Sequence, residues 1–303
     1  MASFSQTVKC QIIDGIKSRD KEKAVLYGML SLCKELKKDK LVFVTENEET
    51  SIFLYDRLKT CCKVKDISLI SSKKRNHSTF CITVRGKSEI DKIKSFTGGI
   101  GTDNLKDLKG NDCASVIAGV FLAVGSVTDP NKEYHMEFVL PGVELCNALG
   151  LMFIENFSII AKHVTRKRSE IVYIKESENI EDMLTLMGAS KSTLEMMNVK
   201  ILKNVRNKVN RVMNCENANI ERTVMASEKL IEDIELIEKT VGLDTLPDDI
   251  SLTARLRYEN PELTLKELGE LFVPKISKSG VNHRLEKIKS VAENIRNNGG
   301  QKK

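Results

Sequence analysis

The thirteen residues Ile117–Asp129, IAGVFLAVGSVTD, hold no charge before the last of them, in a chain that is 30% charged. The run is well short of the ~20 residues needed to span a bilayer, so it predicts a helix buried against other protein. An earlier stretch, VLYGMLSL (Val25–Leu32), resembles VIAGVFLA (Val116–Ala123), with Gly28 and Gly119 in register 91 residues apart. The segments downstream of the two copies are also alike. KLVFVTEN (Lys40–Asn47) and EYHMEFVL (Glu133–Leu140) are rich in β-branched and aromatic residues and predict strands. SIFLYDRLKTCC from Ser51 and VELCNALGLMFIENF from Val143 predict amphipathic helices. DISLISSKKRNHSTFCITV from Asp66 and SIIAKHVTRKRSEIVYIK from Ser158 predict hairpins around polar turns, and SEIDKIKSF from Ser88 and ENIEDMLTLMG from Glu178 predict closing helices. The pattern therefore predicts an α+β fold with a duplicated αββαββα domain over residues 21–190, in repeats of about 21–98 and 112–190, behind an N-terminal segment 1–20. Tyr27-Gly28 and Ala118-Gly119 place small residues on otherwise apolar helices, so the two copies are expected to pack helix against helix about a pseudo-two-fold axis.

Beyond the duplication the periodicity becomes helical. Ser192–Val224 predicts a helix with a polar stripe of Asn204, Asn207, Arg211 and Asn214 and valines elsewhere. Such a stripe fits either a domain interface or a nucleic-acid surface to which Lys203, Arg206, Asn207 and Arg211 bring phosphate contacts. A second helix, roughly Asn219 to Val241, is expected to bury Ile220, Val224, Ile231 and Ile234 and to stop at Gly242, completing a helical linker over 191–245. Three short helices are predicted within 246–298, followed by a disordered tail, 299–303. The first carries Leu252 and Leu256 at i, i+4, and the second opens with Thr264 and Glu267 in capping-box spacing and buries Leu265, Leu268 and Phe272. The third, N-capped by Ser277, has a buried stripe of Val281, Leu285, Ile288, Ala292 and Ile295. Ser279, Asn282, His283, Glu286 and Lys287 point away from that stripe, with Arg284 at its edge, and Ser277, Lys278, Ser279, Asn282, His283, Arg284 and Lys287 are the candidate DNA contacts. Those exposed turns hold the donors and acceptors that major-groove readout needs, and Lys278 at the helix start suits a phosphate. The pattern is that of a helix-turn-helix, the alternative being a small helical interaction module.

Charge sharpens this picture. The net charge of +6 is modest, but from Lys275 onward eight basic residues stand against Glu286 and Glu293. A basic end behind the acid-rich SEKLIEDIELIEK (Ser227–Lys239) points to a polyanion partner. Eight cysteines without a C-x-x-C pair, and four histidines without a ligand pattern, predict reduced structural thiols, no metal site and no cofactor. The N-terminus has no signal-peptide apolar core, so a cytoplasmic location without membrane insertion is expected.

IAGVFLAVGS resembles the LAGLIDADG signature of homing endonucleases, with Ala118-Gly119 for its first Ala-Gly and Gly125-Ser126 for its closing residues. In that family the acid before the last glycine binds the metal used for phosphodiester cleavage. The matching positions here are Val124 and, in the first copy, Cys33. Valine cannot ligate a cation, so the resemblance implies the packing of the family without its nuclease chemistry, a residual nuclease being the alternative. The basic hairpin tips Lys73-Lys74-Arg75 and Arg166-Lys167-Arg168 also repeat and are candidate phosphate contacts, set against a reading as solvated turns.

LRYENPELTLKELGELFVPKISKSGVNHRLEKI (Leu256–Ile288) is similar to the C-terminal helix-turn-helix of the bacterial WhiA family, as NKVNRVMNCENANI and FLAVGSVTDPNKEYHMEFV are to other parts of it. The resemblance implies a degenerate LAGLIDADG domain tethered to a DNA-binding helix-turn-helix. It further implies a nucleoid-associated regulator of transcription and of cell division or chromosome segregation, and of sporulation in some members. Double-stranded DNA is the partner so implied, together with a WhiB-type iron-sulfur protein or a division protein. A protein-interaction scaffold with secondary DNA binding is the further alternative.

Overall fold

In the computed structural model the described residues are 3–74, 77–100, 111–167 and 169–299. The chain forms two compact units, Met1–Lys203 and Asn204–Lys303.

The first unit begins with α1 (Phe4–Asp14), capped by Ser3, whose side chain accepts from the Gln6 amide. Val8 and Ile12 of this helix are fully buried, so the segment is part of the core. The first repeat follows as α2 (Arg19–Leu30), β1 (Glu35–Leu36), β2 (Lys40–Thr45), α3 (Glu48–Thr60), β3 (Ile67–Lys74), β4 (His77–Arg85) and α4 (Lys87–Thr97). The second is α5 (Asn111–Val124), β5 (Gly125–Val127), β6 (Met136–Leu140), α6 (Val143–Phe157), β7 (Lys162–Arg166), β8 (Ser169–Ile174) and α7 (Ser177–Met187). The fold is thus the duplicated αββαββα arrangement, with antiparallel sheets ordered β1-β2-β4-β3 and β5-β6-β8-β7.

Alternation decides which face of each sheet is covered. In β2 the buried positions Leu41 and Phe43 lie opposite Val84 and Ile82 of β4; in β6, Met136 and Phe138 lie opposite Ile174 and Val172 of β8. All eight side chains are buried, so a one-residue slip in either ladder would turn the set to solvent. Phe121 of α5 meets Phe138 edge-on at 5.8 Å between centroids, and Phe138 meets Phe153 of α6 at 5.5 Å.

The repeats join through α2 and α5. A Cβ on Gly28 would lie 2.1 Å from the Val116 carbonyl oxygen, and one on Gly119 would lie 2.1 Å from the Val25 carbonyl oxygen. Each glycine faces the residue equivalent to the one that its counterpart faces, which is the signature of a two-fold seam. Only a residue without a side chain permits backbones this close.

α8 (Ser190–Thr240) starts in this unit, where Gln11 holds Ser192 through Nε2 to Oγ at 2.9 Å and Oε1 to the backbone amide at 3.1 Å. Continuous helix replaces the two helices expected over this span.

The second unit contains the rest of α8, then α9 (Asp248–Glu259), α10 (Leu265–Glu270) and α11 (Lys278–Gly299). Its core holds Leu230, Ile234 and Ile237 of α8, Ile250 and Ala254 of α9, Leu268, Phe272, and Val281, Leu285, Ile288 and Ala292 of α11. Two expected stripes are out of phase. Ile220 and Val224 are exposed and burial begins at Ser227; in α9, Leu252 is exposed, and Ile250, Ala254 and Arg257 face inward. Residues 300–303 lie outside the described residues.

Candidate nucleic-acid interface

α10 starts at Thr264, whose hydroxyl accepts from the Glu267 amide while Glu267 Oε2 accepts from the Thr264 amide at 2.9 Å. This reciprocal cap fixes the start of a helix only six residues long. At its end Gly269 admits the chain that leads into α11: a Cβ there would sit 2.4 Å from the Ile276 carbonyl oxygen, and the Gly269 carbonyl accepts from the Ile276 amide at 3.1 Å. Ser277 then caps α11, its Oγ accepting from the Gly280 amide at 3.2 Å.

With Val281, Leu285, Ile288 and Ala292 packed inward, Ser277, Lys278, Ser279, Asn282, His283 and Lys287 are all exposed. The first turns of α11 therefore present hydroxyl, amide, imidazole and ammonium groups on one continuous surface, as recognition of base edges and phosphates requires. Arg284 lies at the edge of the stripe, a quarter exposed, and has partners within the unit. Its guanidinium lies 5.2 Å from the centroid of the Phe272 ring and its Nε 3.5 Å from Asp249 Oδ2, so it braces α11 against α9 and the end of α10.

Lys73, Arg166 and Lys167 are exposed, Lys74 closes β3, and Arg75 and Arg168 lie outside the described residues. Arg206, Asn207 and Arg211 are exposed on α8. Lys203 is instead an internal fastener, its Nζ donating to the Pro130 carbonyl at 2.6 Å and lying 4.9 Å from the Tyr134 ring centroid.

At the ends of the central helices, Val124 and Cys33 are half-buried, and burial pushes the Cys33 thiol up to about 12. The nearby acids are engaged elsewhere. Glu35 is clasped by Lys37 at 2.6 Å and Lys40 at 2.8 Å, which hold its carboxyl well below the usual range. Asp129 accepts from the Asn131 amide at 2.8 Å, which lowers its pKa. Among the described residues no group of three or more His, Cys, Asp or Glu side chains is placed to hold a metal ion. A lysine occupies this region instead. Lys9 of α1 sends Nζ to the Leu122 carbonyl in the last turn of α5, at 3.1 Å and 5.8 Å from the Phe121 ring centroid. Burial lowers its pKa to about 8, against the opposing pull of Glu46. No repeat or motif surrounds Lys9 in the sequence, and only the spacing of Val8 and Ile12 marks α1 as a packed helix.

A duplicated LAGLIDADG-like unit followed by a helical region with a helix-turn-helix defines a two-part class of protein. Residues 113–206 match the WhiA LAGLIDADG-like domain and residues 209–292 the WhiA C-terminal HTH domain. The chain is 36% identical over 315 residues to a protein of Clostridium perfringens named "Probable cell division protein WhiA", covering 97% of this chain and 98% of that one. It is 38% identical to a protein of the same name from Lachnospira eligens, covering 98% and 99%. The chain belongs to the WhiA family. Its fold matches full-length DUF199/WhiA from Thermatoga maritima with a TM-score of 0.62 at 26% identity, over 97% of this chain and 99% of that one. Among the described residues no helix is long and apolar enough to cross a membrane.

Proposed function

We propose that this protein is a sequence-specific DNA-binding regulator that acts on transcription and on cell division or chromosome segregation, without cutting DNA. The observation that carries the reading is the start of α11: six polar side chains stand exposed over its first three turns, on a helix whose opposite stripe is buried in a helix-turn-helix. The WhiA relatives, which are named as cell division proteins, supply the cellular setting. Ser279, Asn282 and His283 read base edges, while Lys278 and Lys287 hold phosphates. Lys73, Lys74, Arg166, Lys167, Arg206 and Arg211 add backbone contacts of the kind that bring affinity without sequence choice. The protein works in the cytoplasm on the nucleoid.

The absence of cleavage rests on Val124 and Cys33 at the positions where the LAGLIDADG signature carries its acids, with Lys9 beside the end of α5. Two measurements test the reading. Chromosomal occupancy is mapped for the full chain and for Asn282→Ala; the variant is expected to lose its discrete sites and keep diffuse binding. Unchanged discrete sites refute the role of α11. Plasmid incubated with the protein and magnesium or manganese stays intact, and cleavage abolished by EDTA refutes the non-enzymatic part.

A further inference from the structure

A groove of about 500 Å³ runs between α8, α10 and α11 of the second unit, with Arg257 of α9 in its floor. Among the described residues its lining includes five basic ones, Arg222, Arg257, Lys266, Lys278 and Lys289, and no acidic one. Arg222 of α8 is distant in sequence from Lys266 of α10 and Lys289 of α11, so the fold itself brings it to their charge. Its floor is built before any ligand arrives. Arg257 is buried and donates from Nη1 to the carbonyls of Asn260, Pro261 and Leu263 at 3.3, 3.3 and 2.7 Å. Ser227 Oγ donates to the same Pro261 carbonyl at 2.6 Å.

The cations above that floor face outward. Arg222 and Lys266 are exposed, and Lys289 is half-buried with Glu286 at 2.8 Å as its neighbour. We infer that this groove is a phosphate track for duplex DNA, in which Arg222 of α8, Lys266 of α10 and Lys289 of α11 clamp the backbone beside the bases that α11 reads. The inference rests on the proposed DNA-binding function. Two of the groove's residues, Lys278 and Asn282, also belong to the exposed first turns of α11, so a duplex seated on those turns lies along the groove. That continuity favours DNA over a small anion, which would need no shared wall. The stretch of α8 around Arg222 thereby becomes part of the interface, beyond the residues Lys203 to Arg211 that the polar stripe offers as phosphate contacts.

Phosphate contacts give a salt slope of about 0.9 per neutralised phosphate, whatever the sequence bound. The probe is a 30-base-pair duplex of mixed sequence, titrated with the full chain between 50 and 200 mM NaCl. The triple variant Arg222→Gln, Lys266→Gln, Lys289→Gln is expected to lower the slope by about 2.7, so its affinity falls about 40-fold less across that range. Arg222→Gln alone, on the exposed face of a helix, is expected to lower it by about 0.9 and keeps the test open if the triple variant folds poorly. A wild type that binds no duplex at any salt refutes the DNA-binding reading itself. A wild type that binds while both variants keep its slope overturns the groove alone. The same result accompanied by ATP raising the melting temperature of wild type, but not of the triple variant, assigns the groove to a nucleotide and equally overturns the track.

Discussion

Replacing Gly119 by alanine sets two effects of opposite sign against each other. Alanine gains ~1 kcal/mol over glycine within a helix, so on an isolated helix the change stabilises. In the seam the new Cβ would stand 2.1 Å from the Val25 carbonyl oxygen and 2.9 Å from the Met29 nitrogen. These are backbone atoms and cannot rotate away. Reaching an ordinary contact at 3.4 Å requires α2 and α5 to part by about 1.3 Å along that line. A gap of roughly 0.5–1 Å already forfeits a quarter to a half of a dispersion contact worth ~0.1–0.2 kcal/mol, and on the order of 50 contacts cross such a seam, a loss of ~2–4 kcal/mol. Net destabilisation is therefore ~1–3 kcal/mol, which lowers the urea midpoint by roughly 1 M. Gly28→Ala should match it, because Val116 stands to Gly28 as Val25 does to Gly119. The double variant should cost less than the two single costs combined, since the first separation makes room for the second methyl. Urea unfolding followed by far-UV circular dichroism measures the shift, and hydrogen exchange in α2 and α5 assigns it to the first unit. A Gly119→Ala midpoint at or above that of wild type would refute the close seam.

The pKa of Lys9 falls from 10.5 to about 8 on folding, so between those values the unfolded chain holds a proton that the native chain has released. Stability of wild type relative to Lys9→Met should therefore be flat below pH 8 and rise toward pH 10.5, a trend that denaturation midpoints across this range can check. Arg257→Met removes the donor to three carbonyls and should cost ~2–4 kcal/mol, accelerating amide exchange in α10 while leaving α2 unchanged. Arg284→Ala should cost at most ~1 kcal/mol, because its side chain remains a quarter exposed, and should leave base preference intact in a binding-site selection that Asn282→Ala alters.

The elements legible in the sequence were those whose spacing is imposed by packing from both sides. Gly28 and Gly119 could be matched because the same steric demand falls on each, and the inward stripe of α11 follows because Val281, Leu285, Ile288 and Ala292 all face one core. The misread stripes lie where only one side is packed. Ile220 and Val224 stand exposed on α8, and an exposed apolar residue carries little information about burial. In α9 two stripes compete, Leu252 with Leu256 and Ile250 with Ala254; the second wins because Arg257, which a hydrophobicity pattern counts as outward, is the residue that fastens the turn into α10. Arg284 stands at the edge of its stripe as the spacing predicts, but its partners Asp249 and Phe272 come from other elements, so only the fold shows them.

Packing along the seam of α2 and α5 and the surroundings of their C-terminal ends impose different constraints on the residues of this chain. Contact along the seam is set by backbone approach and leaves no freedom at Gly28 or Gly119. The helix ends demand only that the carbonyls of the last turn be satisfied and the partial negative charge there be met. A lysine does both at once: Lys9 donates to the Leu122 carbonyl and brings a positive charge to the end of α5. Its charge also opposes a second cation close by, because two like charges in a poorly solvated region repel strongly. The end of α5 thus already carries a cation of the protein's own, two residues from Val124 along the chain, which is why the proposed absence of cleavage involves α1 as well as the residues at positions 33 and 124.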